Sequence, residues 1–258
     1  MNLETFQFVA GQTPLTDLRV IGATWAIYAT TILGLRQYMK NREPFKLVNA
    51  TAIHNMILCI WSLIMAVGVS YSVYQVGQVE FRAMFCTLPS HSAARGSLWF
   101  WIYVYYISKF YELLDTVILV LKKKPIIFLH WFHHGIVVLM VWIWMYDIAV
   151  VTTWGMIFNT VVHVFMYYYY YAASLGKSVW FKKYITSGQI VQFVCSFFFT
   201  VVFAYYHLKI KSTGGPGCQG VSAAIFTTGL NFIFLVLFIQ FYRSSYGKKK
   251  GADKPKKQ

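Results

Sequence analysis

Three histidines lie close together in the middle of the chain, in the segment His130-Trp131-Phe132-His133-His134. Spacings of three and four residues place these three side chains on one face of a helix. Imidazole can act as a base, a nucleophile or a metal ligand. A lone histidine in an apolar helix usually packs as a hydrogen-bonded side chain, but packing gives little reason for three on one face. The triplet is therefore the first candidate for a reactive site.

Three further apolar segments carry polar side chains. In the first, Lys109, Glu112 and Asp115 share one broad helical face, and Lys109 can pair with Glu112 to leave the group nearly neutral. The alternative interpretation is a structural ion pair that fixes helix packing, although such pairs are weak evidence for stability. The other two groups are a helical stripe of Asn159, His163, Met166 and Tyr170, and the pair Gln189 and Gln192, which can also simply bond neighbouring helices.

Long apolar runs must position these residues. The 258-residue chain is 58% hydrophobic and only 12% charged, and apolar runs near twenty residues are typical of membrane-spanning helices. The pattern predicts an all-α integral membrane protein, with a seven-helix domain over residues 1–242 and a basic tail over residues 243–258. The seven predicted spans are Thr16–Leu35, Leu47–Tyr74, Ser97–Leu121, Pro125–Trp144, Ile148–Ala173, Tyr184–His207 and Val221–Phe241.

The net charge of +15 is better explained by membrane topology than by nucleic-acid binding. Most of the lysines and arginines fall in segments on the same side as the C-terminus, which the positive-inside rule places in the cytosol. The N-terminus then lies in the lumen. Near the C-terminus, Lys254 and Lys256 resemble a di-lysine retrieval signal for the endoplasmic reticulum. A solvated basic tail is the alternative interpretation.

The predicted topology gives an independent test of the four polar clusters. With alternating span directions, all four fall at a similar depth, in the cytosolic half of their helices. Helices that surround a cavity would bring these clusters face to face. The cavity would be polar toward the cytosol and apolar toward the lumen. Such a cavity suits a substrate with a charged head and a long hydrocarbon tail.

Taken together, the four clusters resemble the elongase family of fatty acid condensing enzymes, the 3-oxoacyl-CoA synthases of the endoplasmic reticulum. The patterns K-x-x-E-x-x-D-T, H-x-x-H-H, N-x-x-x-H-x-x-M-Y-x-Y-Y and T-x-x-Q-x-x-Q occur complete and in order, beginning at Lys109, His130, Asn159 and Thr186. The resemblance implies six helices in a barrel around a narrow tunnel, with the first helix outside. It implies condensation of an acyl-CoA with malonyl-CoA to a 3-oxoacyl-CoA two carbons longer, with release of CO2 and CoA.

The resemblance also implies a role for each cluster. Because neither cysteine within a span belongs to a polar motif, we expect His133 to carry the acyl group as an acyl-imidazole. His130, His134 and His163 would supply a base, an orienting partner and an oxyanion donor, in an order that the sequence leaves open. The other candidates are the catalytic or orienting residues Lys109, Glu112, Asp115, Asn159, Gln189 and Gln192, and the substrate-binding residues Tyr167, Tyr170, Lys122, Lys123, Lys124, Lys182 and Lys183.

This chemistry calls for no metal and no cofactor. The expected partners are acyl-CoA, malonyl-CoA, the lipid bilayer and the reductases and dehydratase of an elongation cycle. The nearest alternative is a membrane di-iron desaturase or hydroxylase, which needs many histidine ligands in three boxes, whereas this chain has seven histidines and one such box. A non-enzymatic seven-span transporter or receptor also tolerates intramembrane charge. It does not account for four clusters at one depth.

Three features outside the motifs carry further predictions. Cys86 and Cys218 are the two cysteines in lumenal loops, where an oxidising environment allows them to pair. Beyond Gln192, the phenylalanines at 197, 198, 199 and 203 can plug the tunnel and limit chain length, or can pack against lipid and neighbouring helices. Tyr38-Met39-Lys40 resembles the branch that acts on saturated and monounsaturated chains.

Overall fold

The computed structural model describes residues 3–89 and 94–247, and this part of the chain is all-helical, as the sequence predicts. One 3-10 turn at Phe81–Met84 accompanies the α-helices, and the extended backbone at Gln7 and Arg95 meets in an isolated bridge. The α-helices are α1 (Leu18–Met39), α2 (Val48–Val79), α3 (Ser97–Glu112), α4 (Leu114–Leu121), α5 (Phe128–Tyr146), α6 (Thr152–Ser174), α7 (Lys182–Ser212) and α8 (Val221–Tyr246).

Within the described residues, five helices are long and apolar enough to cross a membrane, namely α1, α2, α5, α7 and α8. The chain is therefore a multi-pass membrane protein. Helix α6 has 23 residues, but Asn159, His163 and its run of tyrosines make it less apolar. Helix α8 continues to Tyr246, beyond the predicted domain boundary at residue 242. Residues 248–258, which include the predicted retrieval lysines, lie outside the described residues.

Six helices contact one another in a closed order. Helix α2 packs on α6, α6 on α7, α7 on α8, α8 on α5, α5 on α3, and α3 again on α2. Helix α1 lies outside this ring, where it contacts α4 and α5 and buries only Ile21 and Met39. Ile27 and Leu33 on α1 are each 65% exposed, so the outer surface of this helix is apolar and suited to lipid.

The predicted third span, Ser97–Leu121, is not one continuous helix. It divides at Leu113 into α3 and the short α4. The backbone N–H of Leu113 donates to the carbonyl oxygen of Phe110, and that of Thr116 donates to the carbonyl oxygen of Leu113, both at 3.2 Å. These three-residue hydrogen bonds tighten one turn, while Leu113 itself keeps helical backbone angles with φ at −60° and ψ at −24°. The tightened turn lies between Glu112 and Asp115.

A disulfide between Cys86 and Cys218 joins the loop before α3 to the loop before α8, which is the pairing expected from the sequence. The N–H of Gln219 donates to the carbonyl oxygen of Thr87 at 2.8 Å beside it. Gly220 has a φ of 84°, and a Cβ there would lie 2.6 Å from the Cα of Ala149, so this position requires glycine. We call this side of the helix ring the disulfide end.

The opposite side of the ring is the basic end, defined by Lys122, Lys124 and Lys182. There the N–H of Phe45 donates to the carbonyl oxygen of Leu121 at 3.0 Å, which ties the start of α2 to the end of α4. The end of α8 also reaches this side, since the hydroxyl of Tyr246 donates to the carbonyl oxygen of Lys182 at 3.5 Å. The ring therefore has two chemically different ends.

The disulfide links residues 132 positions apart, so its removal should destabilise the protein. Loss of a native disulfide typically costs about 2–5 kcal/mol in small domains, and the bilayer already restrains this chain. We expect Cys86→Ala to lower the melting temperature of the purified protein without reductant, with the free-cysteine variant Cys195→Ala as control. The prediction fails if Cys86 and Cys218 both alkylate in native, unreduced protein.

Candidate functional site

A cavity of about 530 Å³ lies inside the helix ring and reaches the basic end. Side chains from α2, α4, α5, α6, α7 and α8 line it, together with Glu112 at the end of α3. All four polar clusters predicted from the sequence contribute to its wall. The predicted residues that line it are His130, His133, His134, His163, Glu112, Asp115, Asn159, Gln189, Gln192, Tyr167, Tyr170, Lys122, Lys124 and Lys182.

Two of the lysines predicted to bind substrate are not part of this wall. The ammonium group of Lys123 donates to the carbonyl oxygen of Lys40 at 3.3 Å, away from the cavity. That of Lys183 lies 5.8 Å from the ring centre of Tyr242. Adjacent lysines on a helix or turn cannot all face the same way, so the basic runs divide between the cavity mouth and the surface.

A second, narrower cavity of about 50 Å³ continues toward the disulfide end. We call it the deep cavity, and the larger one the main cavity. His133, Asn159, Gln192 and Phe193 line both, so the boundary between them runs beside the His133 imidazole. The apolar part of the deep wall comes from Val137, Met140, Trp144, Val151, Phe199 and Phe234.

The deep cavity is not purely apolar, which corrects the expectation from the sequence. Its wall also contains Ser196, Thr227 and Asn231. The amide of Asn231 donates to the Ser196 hydroxyl at 2.5 Å, and the Trp144 indole N–H donates to the Thr227 hydroxyl at 2.7 Å. Because these groups bond across helices, their polarity is largely satisfied within the wall.

Lys109 and Glu112 form a buried ion pair at the end of α3. The Lys109 Nζ lies 2.6 Å from Glu112 Oε1, and each residue is only 1% exposed. The Ser108 hydroxyl donates to the same carboxylate oxygen at 3.2 Å, and Nζ sits 4.0 Å from the ring centre of Tyr105. His163 Nδ1 is 3.8 Å from Glu112 Oε1, while Oε2 is buried without a hydrogen-bond partner. Lys109 itself lines the deep cavity.

Asp115 has a different set of partners. Its Oδ1 lies 2.7 Å from His54 Nε2, and its Oδ2 accepts a hydrogen bond of 2.9 Å from the Tyr167 hydroxyl. His134 Nε2 lies 3.8 Å from Oδ2, and His134 Nδ1 is buried without a partner. The imidazole of His134 therefore has one nitrogen facing a carboxylate and the other free.

His130 is held from outside the ring. Its Nε2 lies 2.9 Å from the Thr116 hydroxyl, which is also 2.7 Å from the hydroxyl of Tyr28 on α1. His133 packs beside His134, with ring centres 5.5 Å apart, and against the ring of Phe234 at 5.1 Å. The three histidines thus have separate environments although they share one helical face.

The amide side chains complete the wall. The Tyr105 hydroxyl donates to Asn159 Oδ1 at 2.8 Å, and the Gln189 amide lies 3.7 Å from the sulfur of Met166. Gln192 Oε1 is buried without a partner at the boundary of the two cavities. The Asn159 and Gln192 side chains are therefore placed where a polar group of a bound molecule would pass from one cavity to the other.

The sequence analysis missed two residues of this network, His54 on α2 and Tyr28 on α1. His54 is 6% exposed and lines the main cavity next to Asn55. A histidine within a membrane span is a signal of function in its own right. On α2, His54 lies beside the buried Thr51 and Asn55, which also line the main cavity. The partners of His54 and Tyr28 lie 61 and 88 positions away in the sequence.

The site therefore combines imidazoles, carboxylates and a lysine in a pocket that reaches the basic end. Imidazole beside a hydrogen-bonded carboxylate can act as a nucleophile or a general base. In residues 3–89 and 94–247, no group of three or more His, Cys, Asp or Glu side chains is arranged to hold a metal ion. The arrangement suits proton transfer and covalent chemistry on a molecule that enters from the basic end.

The sequence is similar to known proteins over nearly its whole length. The family model described as ELO, the GNS1/SUR4 family, matches residues 13–254. A putative fatty acid elongase of Dictyostelium discoideum is 42% identical over 244 residues, which are 95% of this chain and 81% of that protein. Fatty acid elongase sre1 of the same organism is 42% identical over 93% of this chain and 88% of its own length. Long chain fatty acid elongase 1 of Caenorhabditis elegans is 31% identical over 89% of this chain and 79% of its own length.

The buried Lys109–Glu112 pair leads to a prediction about the free energy of unfolding of single and double variants. Glu112→Leu should destabilise the protein by about 3–5 kcal/mol, because it leaves the Lys109 charge buried and uncompensated. The double variant Lys109→Met/Glu112→Leu should lose less free energy of unfolding than the single variant Glu112→Leu. Equilibrium unfolding in mixed micelles measures both. The exposed Glu80–Arg82 pair is the control, since Glu80→Gln should cost less than about 1 kcal/mol. If the stability losses of the single variants Lys109→Met and Glu112→Leu simply add up to the loss of the double variant, the prediction is wrong.

Proposed function

This chain belongs to the GNS1/SUR4 family, and on that premise we propose that it is a fatty acid elongase of the 3-oxoacyl-CoA synthase type. It would condense a long-chain acyl-CoA with malonyl-CoA to a 3-oxoacyl-CoA two carbons longer, releasing CO2 and CoA. The observation that carries the proposal is the meeting of all four motifs in one cavity, at the entrance to a second, narrower one. A substrate with a charged head and a long hydrocarbon tail requires a wide polar cavity for the head and a narrower one for the tail.

His133 is the proposed nucleophile of the first half-reaction. Its position at the boundary of the two cavities lets an acyl tail point toward the deep cavity while the CoA portion stays in the main cavity. An imidazole nitrogen attacks the thioester carbonyl, a C–N bond forms and the C–S bond breaks. The proton lost from His133 passes to the CoA sulfur. The product is an acyl-imidazole, which is reactive enough to transfer its acyl group to a carbon nucleophile.

Malonyl-CoA takes part in the second half-reaction. Loss of CO2 leaves the electron pair of the broken C–C bond on the adjacent carbon as an enolate. That carbon attacks the acyl-imidazole carbonyl, a C–C bond forms and the His133 C–N bond breaks. The departing imidazole takes up one proton from solvent, which restores neutral His133. Asn159 and Gln192, beside His133, are suited to stabilise the oxyanion, since hydrogen-bond donors aimed at developing charge are a large part of such catalysis. His130, His134 and His163 supply base and orienting functions.

The basic end would bind the CoA portion of both substrates. Lys122, Lys124 and Lys182 line this opening, with Tyr169 and Tyr170 beside them. Ammonium groups form charge-assisted hydrogen bonds with phosphate oxygens. The Lys182 ammonium lies 5.7 Å from the Tyr169 ring centre, so an aromatic surface accompanies the charges. The proposed reaction uses acyl-CoA and malonyl-CoA and needs no metal or other cofactor.

The proposal includes a membrane arrangement. Helix α3 with α4, and α6, would join the five apolar helices as seven spans, of which the six ring helices form a barrel and α1 stands outside. The basic end would face the cytosol, with the C-terminus, and the disulfide end would face the lumen of the endoplasmic reticulum, with the N-terminus. A disulfide at Cys86–Cys218 fits an oxidising lumen. The elongation-cycle reductases and dehydratase would act on the released product.

We expect His133→Ala to abolish two measurable activities, CoA release from acyl-CoA alone and 3-oxoacyl-CoA formation with labelled malonyl-CoA. In the proposed reaction His133 alone carries the acyl chain at the boundary of the two cavities, so both activities depend on its imidazole. Mass spectrometry of wild-type protein trapped with acyl-CoA should find the adduct on a histidine. Trp131→Ala, on the same helix but outside the wall, controls for helix disruption. Condensation by a folded His133→Ala variant would refute the acyl-imidazole.

The deep cavity predicts which phenylalanine limits product length. Phe199 lines it and packs on Trp154 with ring centres 4.8 Å apart, whereas Phe198 is 64% exposed and Phe203 packs in the separate cluster around the disulfide. Phe199→Ala should therefore lengthen the products by one or two cycles, and the matched Phe198→Ala should not. One methylene of misfit is worth only about 1–3 kcal/mol, so the limit should extend over neighbouring lengths. A panel of acyl-CoAs with product-length analysis tests this; unchanged lengths in Phe199→Ala would contradict it.

A further inference from the structure

We infer that His54 is a positioning residue of the proposed condensation, acting on His134 through Asp115. The inference rests on the proposed function. His54 lies on α2, outside every sequence motif described above, and 61 positions from the residue that it contacts. It is 6% exposed, its Nε2 lies 2.7 Å from Asp115 Oδ1, and its ring stacks on Tyr111 with centres 5.1 Å apart.

Asp115 needs such a partner because of where it lies. It follows the helix break at Leu113 and lines a cavity in which Glu112, one turn earlier, is already paired with Lys109. The contacts of Asp115 are the His54 and Tyr167 side chains, one on each carboxylate oxygen. Hydrogen bonds to an ionised carboxylate are strong and directional, so these two bonds together hold the plane of the carboxylate in one orientation.

That orientation places Asp115 Oδ2 3.8 Å from His134 Nε2. A carboxylate facing one imidazole nitrogen favours the tautomer with the proton on that nitrogen. The other nitrogen, His134 Nδ1, then carries a lone pair, and it is the one that is buried without a partner. Catalytic hydrogen bonds are commonly long in the absence of substrate and shorten when it binds.

His134 is thereby suited to be the base for His133, whose ring is its neighbour at 5.5 Å. As the C–N bond forms and the thioester C–S bond breaks, the proton leaving His133 passes to His134 Nδ1. From there it passes to the departing CoA sulfur, which restores neutral His134. His54 does not touch the reacting atoms. It keeps Asp115 in the orientation that leaves His134 Nδ1 ready to accept this proton.

The test separates the hydrogen bond of His54 from its packing. His54→Phe keeps an aromatic ring to stack on Tyr111 and removes the N–H donor, whereas His54→Gln keeps an amide donor near the place of Nε2. We expect His54→Phe to lower the kcat of condensation on the order of 10- to 100-fold, below the loss of about 10²–10⁴-fold that follows removal of a general base itself. His54→Gln should recover most of the rate.

Three further readouts distinguish positioning from a structural role. The KM values for acyl-CoA and malonyl-CoA should stay within about twofold of wild type, since the role inferred for His54 is to orient Asp115 and not to bind substrate. Single-turnover CoA release without malonyl-CoA should fall in parallel with kcat. Asp115→Asn combined with His54→Phe should cost no more than Asp115→Asn alone, because both act through the same orientation. Ser62→Ala, buried on the same helix, is the control with wild-type kinetics.

Several outcomes would overturn the inference. These are a wild-type kcat in His54→Phe, equal losses in His54→Phe and His54→Gln, or a change confined to KM. If His54→Phe does not fold, His54→Asn takes its place, because its shorter amide cannot reach Asp115, and a wild-type kcat there counts against His54. Absence of condensation by the wild-type protein would instead refute the proposed elongase activity, and so the two failures are distinguishable.

Discussion

Two opposite charges buried among apolar helices, on Lys109 and Glu112, constrain the rest of this structure. Neither charge is tolerated alone in such surroundings, and each is compensated by the other at 2.6 Å within one helical turn. The pair occupies the last turn of α3, and α4 begins immediately after it. Helix α4 then brings Asp115 to His54 and Tyr167, and Thr116 to Tyr28 and His130. The buried pair is thus followed directly by the turn that contacts these side chains.

The two carboxylates of the site are separated in function by their partners. Glu112 is paired with Lys109 and turns one oxygen toward His163, whereas Asp115 is held by His54 and Tyr167 and turns one oxygen toward His134. His163 and His134 therefore each have their own acidic neighbour. A carboxylate that orients an imidazole also selects which nitrogen carries the proton. These two histidines can thus serve different steps of a single reaction.

The division of the interior into two cavities corresponds to the two parts of the proposed substrate. The main cavity reaches lysines at the basic end, and the deep cavity ends among aromatic rings near the disulfide. Helix α1 lies outside the ring and yet contacts the site, since the Trp25 indole donates to the carbonyl oxygen of Gly135 at 2.8 Å and Tyr28 reaches Thr116. Helix α1 thus supports the histidine-bearing part of α5 at two points, which suits preorganised catalysis.

The amino-acid sequence by itself determined the all-α class, the polar clusters and their helical faces. These are local properties, because apolar run length predicts helices that suit a membrane and spacings of three and four residues predict a shared face. The same reasoning indicated that Lys109 faces Glu112 and that Cys86 can pair with Cys218. The family motifs are equally local, and they identify the family without any coordinates.

Only the tertiary structure determined which residues that are distant in the sequence contact one another. The contacts of His54 with Asp115 and of Tyr28 with Thr116 join separate helices, and helical periodicity carries no information about such pairs. The break at Leu113 arises in an apolar run that reads as one continuous helix. The choice of Phe199 over Phe198 depends on how α7 is rotated against α6, because three consecutive phenylalanines cover most of a helix surface. Sequence spacing defines the face of a helix, but packing against neighbouring helices determines what that face contacts.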